Sequence, residues 1–108
     1  MDDALRQKIQ TMLDEHPIVL FMKGTKNFPQ CGFSAAAVEA LKRSGATEFL
    51  DVNVLADPAI RQGIKEYGSW PTVPQLYVKG KLVGGSDIMR EMLEKGELKP
   101  LVEQALAK

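Results

Sequence analysis

Five consecutive apolar residues, Ile18-Val19-Leu20-Phe21-Met22, lie between two segments of helical periodicity, and they constrain the fold more than any other part of the chain. The run is short and rich in branched and aromatic side chains. That is the pattern of a strand covered on both faces, since a strand wet on one side alternates with polar residues. Such a strand needs helices above and below its sheet, and the flanking segments supply them. Leu5, Ile9, Met12 and Leu13 recur at helical spacing over about residues 3 to 15, and the segment stops at His16-Pro17, because proline disfavours helix in the residue before it. Beyond the strand, Val38 and Leu41 continue an apolar stripe through an alanine-rich segment that starts near Cys31 and ends at Ser44-Gly45, where glycine takes the left-handed cap.

Glu48-Phe49-Leu50-Asp51-Val52-Asn53 alternates moderately and predicts a second strand, and Asp57-Pro58 then marks a helix start with a capping side chain and a first-turn proline. Ile60, Ile64 and Tyr67 form the apolar face of this third helix. Gln75-Leu76-Tyr77-Val78 and Lys81-Leu82-Val83-Gly84 flank Lys79-Gly80 and predict an antiparallel hairpin with a tight turn. Ser86 or its neighbour caps a fourth helix carrying Ile88, Met89, Met92 and Leu93; a fifth, after Gly96, carries Leu98, Leu101, Val102, Ala105 and Leu106. A right-handed crossover makes the first two strands parallel, and the hairpin adds antiparallel ones. The expected class is α/β, with a four-stranded mixed sheet flanked by about five helices in the order of a thioredoxin-like fold. At 108 residues the chain reads as a single domain, residues 1–108, without repeat, linker or low-complexity tract.

The 14 basic and 14 acidic side chains cancel, which removes the electrostatic footprint of a nucleic-acid-binding domain. The start Met1-Asp2-Asp3-Ala4-Leu5 is acidic, unlike a secretory signal or a transit peptide, and no apolar run approaches the roughly 18 residues that span a bilayer. The expectation is a soluble cytoplasmic protein with no membrane and no nucleic-acid partner. Its single cysteine suits a reducing compartment and cannot staple the fold.

That cysteine, Cys31, stands in Lys23-Gly24-Thr25-Lys26-Asn27-Phe28-Pro29-Gln30-Cys31-Gly32-Phe33-Ser34, between the central strand and the second helix. Where a two-cysteine redox motif places its second sulfur the chain has Ser34, so an internal disulfide is excluded and any thiol chemistry draws sulfur from elsewhere. A helix amino terminus and a nearby lysine favour thiolate, and Cys31 is expected to titrate below a free cysteine, with Lys23 at the end of the strand within reach. The plain alternative is a small buried apolar cysteine.

Trp70-Pro71-Thr72-Val73-Pro74 precedes the third strand, where Pro74 cannot donate to a ladder and belongs at the strand's first residue. A cis Val73-Pro74 bond there would leave the backbone groups of Val73 unpaired for an extended peptide, against the alternative of an ordinary proline-punctuated loop. Gly84-Gly85-Ser86-Asp87 sits at a strand-to-helix junction, where free helix-start amides bind carboxylates or phosphates; the alternative is a turn and a cap. Arg61 likewise has a plain alternative, a solvated helix-face charge, which is the default for most arginines. His16 has no cysteine or second histidine to complete a zinc site and is assigned a structural role.

Together these residues resemble the monothiol glutaredoxins of the Cys-Gly-Phe-Ser type over essentially the whole chain. The segments that carry the resemblance are Lys23-Gly24-Thr25, the loop to Pro29-Gln30-Cys31-Gly32-Phe33-Ser34, Trp70-Pro71-Thr72-Val73-Pro74 and Gly84-Gly85-Ser86-Asp87. The resemblance implies a thioredoxin fold that binds glutathione, and a homodimer that holds a 2Fe-2S cluster and passes it to recipient proteins in iron-sulfur protein biogenesis and iron homeostasis. It further implies that Lys23 and Arg61 grip the glycine carboxylate of glutathione and that Val73 pairs with its backbone. Ser86 and Asp87 would take its gamma-glutamyl end, and Cys31 would ligate the cluster across two subunits. Some relatives carry a cysteine where this chain has Ser86, so a second thiol is lost while the backbone amide is kept.

A 2Fe-2S cluster needs four ligands, usually thiolates. One chain supplies one, so the count requires a dimer completed by two glutathiones, or a mixed dimer with another protein; the resemblance suggests BolA-like proteins. The rival is an enzyme that reduces protein-glutathione mixed disulfides, with Cys31 as catalytic nucleophile and a second glutathione resolving the intermediate. The longer loop from Thr25 to Pro29 bears on how a bound glutathione sulfur is aimed, and the family pattern favours the carrier. A thioredoxin-fold interaction module without cofactor is the third reading.

Overall fold

All five residues of β1 (Ile18–Met22) are buried, because the strand holds an inner place in the sheet with helices on both sides. In a computed structural model describing residues 1–107, β1 is joined by β2 (Leu50–Asn53), β3 (Gln75–Val78) and β4 (Lys81–Gly84), in the spatial order β2-β1-β3-β4. β1 and β2 run parallel, with Val19 opposite Leu50, while β3 pairs antiparallel with both β1 and β4. The helices are α1 (Asp3–Glu15), α2 (Gly32–Arg43), α3 (Pro58–Tyr67), α4 (Ser86–Glu94) and α5 (Leu98–Leu106). This is the mixed four-stranded, five-helix thioredoxin-like architecture that the sequence predicts.

The two-residue period of a strand sends alternate side chains of β1 and β3 to opposite faces, and each face has its own core. Ile18, Leu20, Met22, Leu76 and Val78 pack with residues of α2, α4 and α5, among them Leu41, Met89 and Leu98. Val19, Phe21 and Tyr77 pack with Ile9, Leu13, Ile60 and Ile64 from α1 and α3. The consequence for function is that one end of the sheet gathers the loop after β1, the loop before β3 and the turn after β4.

Local chemistry sets the boundaries. Asp2 caps α1 by accepting from the Leu5 amide at 2.8 Å, and His16 leaves the helix in an extended conformation ahead of Pro17. Lys79 and Gly80 both adopt positive φ, 51° and 77°, the backbone of the tight turn expected between β3 and β4. The sequence expectation fails at the start of β2, which begins at Leu50 and not at Glu48. Continued back, the β1–β2 register sets Phe49 opposite Ile18 and Glu48 opposite Pro17, which has no amide and gives its carbonyl to Lys79 N at 2.8 Å, so the ladder ends at Val19–Leu50. The Phe49 ring packs on the α2 side of the core and carries the Lys26 ammonium 5.2 Å from its centroid.

Asp57 caps α3 by accepting from the Ile60 amide at 3.2 Å, and it also receives Lys8 Nζ at 3.0 Å, tying α1 to α3. The Lys8 ammonium first, and then the helix-start amides, hold the Asp57 carboxyl below its ordinary value. A group depressed in the folded state adds stability above its unfolded pKa and loses it as the pH falls. Asp57→Ala is therefore expected to cost about 1 kcal/mol in urea unfolding at neutral pH, with the gap to wild type narrowing below about pH 4.

Candidate functional site

The chain leaves β1 at Met22 and makes a tight excursion before α2. Gly24 takes φ +89° and pairs across the loop with Pro29. Thr25 and Phe28 exchange backbone hydrogen bonds at 3.2 and 3.1 Å, and Gln30 N donates to Lys23 O at 2.9 Å. Two side chains of β2 hold this loop from below. Asn53 Oδ1 accepts from Gly24 N at 2.9 Å, and Asp51 Oδ2 accepts from Lys26 N at 2.8 Å. Neither anchor is evident in the sequence reading, although an Asp and an Asn at alternate positions of a strand whose end faces a loop are a signal of this kind.

The loop delivers Cys31 to the N-cap position of α2. Its Sγ accepts from Ser34 N at 3.3 Å and lies 3.3 Å from the Ser34 hydroxyl, whose oxygen also accepts from Lys23 N at 3.0 Å. In the thiol form Sγ–H donates to that oxygen. In the thiolate form the hydroxyl turns its proton to sulfur while its oxygen still accepts from Lys23. Partial burial opposes ionisation and is the largest single influence, but the Ser34 hydroxyl, the Ser34 and Phe33 amides and, last, the Lys23 charge together hold the Cys31 thiol below its ordinary value. The direction is the expected one. The weight falls on Ser34, which the sequence offers only as a missing sulfur; its place three residues into a helix capped by Cys31 is the signal for this role.

Ser34 is fully buried, so Ser34→Ala leaves the Lys23 amide without its acceptor. The expected results are a stability loss of about 1–3 kcal/mol and a rise in the Cys31 pKa, read as a rightward shift of alkylation rate against pH.

Beside the thiol, the loop Trp70-Pro71-Thr72-Val73-Pro74 and the junction Gly85-Ser86-Asp87 face each other across a groove of about 290 Å³, closed at one side by Phe33. Gly85 lets the walls approach, since a Cβ there would stand 3.3 Å from Pro74 O. The Val73-Pro74 bond is cis, the first of the two forms that the sequence leaves open. Among the described residues neither the N–H nor the C=O of Val73 has a hydrogen-bond partner. On the opposite wall Gly85, not Ser86, is the N-cap of α4; it supplies no side-chain cap, and the first helix bond runs from Met89 N to Gly85 O. Among the described residues the amides of Ser86, Asp87 and Ile88 are thus unengaged, and the exposed Asp87 carboxylate lies 3.7 Å from the Arg90 guanidinium.

Of the residues singled out in the sequence, Val73, Ser86 and Asp87 line one groove. Cys31 and Lys23 sit together at the start of α2, joined to the groove through Phe33, two residues beyond the thiol. Arg61 lies in the first half of α3, outside the groove lining, and makes no ion pair among the described residues. His16 ends α1. Two aromatic side chains flanking the thiol, Phe28 at 74 % and Phe33 at 65 %, are largely exposed. No group of three or more His, Cys, Asp or Glu side chains suited to a metal ion occurs among the described residues, and no helix is long and apolar enough to cross a membrane.

Residues 18–83 match the model of the Glutaredoxin family. The chain is 50 % identical over 107 residues to an uncharacterized monothiol glutaredoxin ycf64-like protein of Synechocystis, with 99 % of each chain covered. It is 49 % identical over 102 residues to glutaredoxin 4 of Escherichia coli strain K12, covering 94 % of this chain and 88 % of that one. The solution structure of reduced poplar apo GrxS14 superposes with a TM-score of 0.83 at 49 % identity, over 96 % of this chain and 94 % of that one.

Proposed function

The chain belongs to the glutaredoxin family, among its monothiol members, and on that footing we propose that it binds glutathione reversibly and carries a 2Fe-2S cluster as a glutathione-ligated homodimer. The observation that supports this most is the pairing of a lone thiol, held below its ordinary pKa, with an adjacent groove whose two walls present unpaired backbone groups. Thiolate is the form that ligates iron.

Glutathione matches that groove chemically. Its peptide backbone has an extended partner in the Val73 N–H and C=O. Its gamma-glutamyl carboxylate suits the free amides that open α4, at Ser86 and Asp87, and its ammonium suits the Asp87 carboxylate. Lys23, and Arg61 by rotation of its long side chain, are the cations assigned to the glycine carboxylate. The ligand thiol would then stand near Cys31.

The cluster is the cargo. One cysteine per chain cannot complete four-coordinate sulfur at two irons, so two chains and two glutathiones make up the set. The same incompleteness suits release, because half the ligands are free to leave with their tripeptide. A mixed dimer with a BolA-like protein that brings its own ligands, and handover to iron-sulfur recipient proteins, extend the proposal, as does a cytoplasmic setting.

Anaerobic reconstitution with ferrous iron and sulfide tests it. A coloured product with charge-transfer absorbance is expected with glutathione and not without it; a colourless product in both refutes cluster binding.

The second reading, reduction of protein-glutathione mixed disulfides, draws on the same lowered thiol pKa. Cys31 thiolate would attack the glutathione sulfur, expelling the protein thiolate, and a second glutathione thiolate would attack the Cys31 mixed disulfide, releasing oxidised glutathione. Efficient turnover in a mixed-disulfide assay would put this reading first.

A further inference from the structure

Gln75 is a fully buried polar residue at the start of β3, on the face of the sheet that packs against α1 and α3. Its amide has three partners. Nε2 donates to Trp70 O at 3.0 Å and to Thr72 O at 3.1 Å, and Oε1 accepts from the Tyr77 hydroxyl at 3.0 Å. The two carbonyls fix which way the amide points, since the flipped form would set its oxygen against both of them. Burial, and then the neighbouring Tyr67, push the Tyr77 phenol up to about 12, so it stays a donor at neutral pH.

The Tyr77 ring is in turn held edge-on by Phe21 at 5.6 Å and Tyr67 at 6.2 Å. Gly68 completes the support, because a Cβ there would collide with the Tyr77 hydroxyl and stand 3.1 Å from Gln75 Oε1. The two carbonyls taken by Gln75 belong to the residues on either side of Pro71 in the groove's wall, and the second of them adjoins Val73. What Gln75 engages from beneath is therefore the backbone that frames the only unpaired N–H and C=O pair on that wall, among the described residues.

We propose that Gln75 is the positioning residue of the peptide-binding edge: its amide, oriented by Tyr77, pins the Trp70–Thr72 backbone so that Val73 keeps both backbone groups available to the ligand. This rests on the glutathione reading above and names the device that sets its geometry.

The test titrates glutathione into wild type, Gln75→Leu and Tyr77→Phe, following amide signals by NMR alongside the melting temperature and the Cys31 titration. Gln75→Leu is expected to weaken binding about tenfold, and Tyr77→Phe, which frees the amide without removing it, about threefold. The signature is selective: the ligand-induced shift of the Val73 amide shrinks, those of Ser86 and Asp87 persist, and the Cys31 titration does not move. A purely structural Gln75 would lower the melting temperature with affinity and Val73 shift unchanged well below it, and that result overturns the proposal. Should Gln75→Leu not fold, Tyr77→Phe decides by the same pattern. Wild type that fails to bind glutathione overturns the functional reading and this inference together, whereas wild-type binding with both variants unaltered overturns this inference alone.

Discussion

Cys31→Ser is expected to abolish retention of iron and sulfide after reconstitution while leaving the fold in place. The two halves of that result have separate causes. Serine is among the best N-cap residues, so its hydroxyl takes over the bond that Sγ accepts from Ser34 N and α2 starts where it did. Cys31 lies outside both apolar cores, so no cavity opens, and the stability change stays within about 1 kcal/mol. The hydroxyl, however, does not ionise near neutral pH and does not replace thiolate at a cluster iron. With one cysteine in the chain there is no second thiol to substitute, so the loss is complete and not graded. Iron and sulfide analysis beside circular dichroism reads both halves. A variant that held both elements at the wild-type ratio would remove Cys31 from the ligand set.

Gly24→Ala is expected to damage the site through the backbone. At φ +89° an L side chain is strained, and the added Cβ would lie 2.5 Å from Phe28 O and 2.6 Å from Gln30 N. Those neighbours are backbone atoms of the same small loop, so relief requires the loop to open, breaking the Gly24–Pro29 bridge and the bond from Gln30 N to Lys23 O. The strain and the overlap together cost about 3 kcal/mol, read by chemical unfolding. Because Gln30 leads directly into Cys31, the opened loop also misplaces the N-cap, and cluster retention falls well below wild type even in the folded fraction. Gly45, by contrast, also adopts positive φ but has open space around it, so Gly45→Ala carries the strain alone. An unchanged Gly24→Ala protein would mean that the loop is not the rigid mount for the thiol.

Much of this was legible in the residues because the strongest signals are local. A five-residue apolar run, a proline ending α1 and an Asp-Pro opening α3 act within a turn or two of chain, and all three stand where the sequence places them. The start of β2 is not legible, because strand length depends on what the neighbouring strand offers, and Pro17 has no amide and gives its carbonyl to Lys79 N, away from β2. Cys31, Val73, Ser86 and Asp87 stand out in the sequence by their own chemistry and by the family likeness, and the fold sets the last three along one groove. Ser34, Asn53, Asp51 and Gln75 were missed for one shared reason. Each acts by holding the backbone of another element, and a polar residue that does so looks in sequence like any other. A glutamine opening an otherwise apolar, fully buried strand was the visible hint, since buried amides persist where they are fully bonded.

In the proposed function, the cluster's coordination sphere is shared between two chains and two tripeptides. Native mass measurement of the anaerobically reconstituted protein tests it most directly, because chains, glutathione, iron and sulfide are counted in one species. The expected species is a dimer carrying two glutathiones and one 2Fe-2S unit, with loss of glutathione and loss of cluster occurring together. An intact cluster-bearing dimer free of glutathione and of any other thiol donor would contradict it.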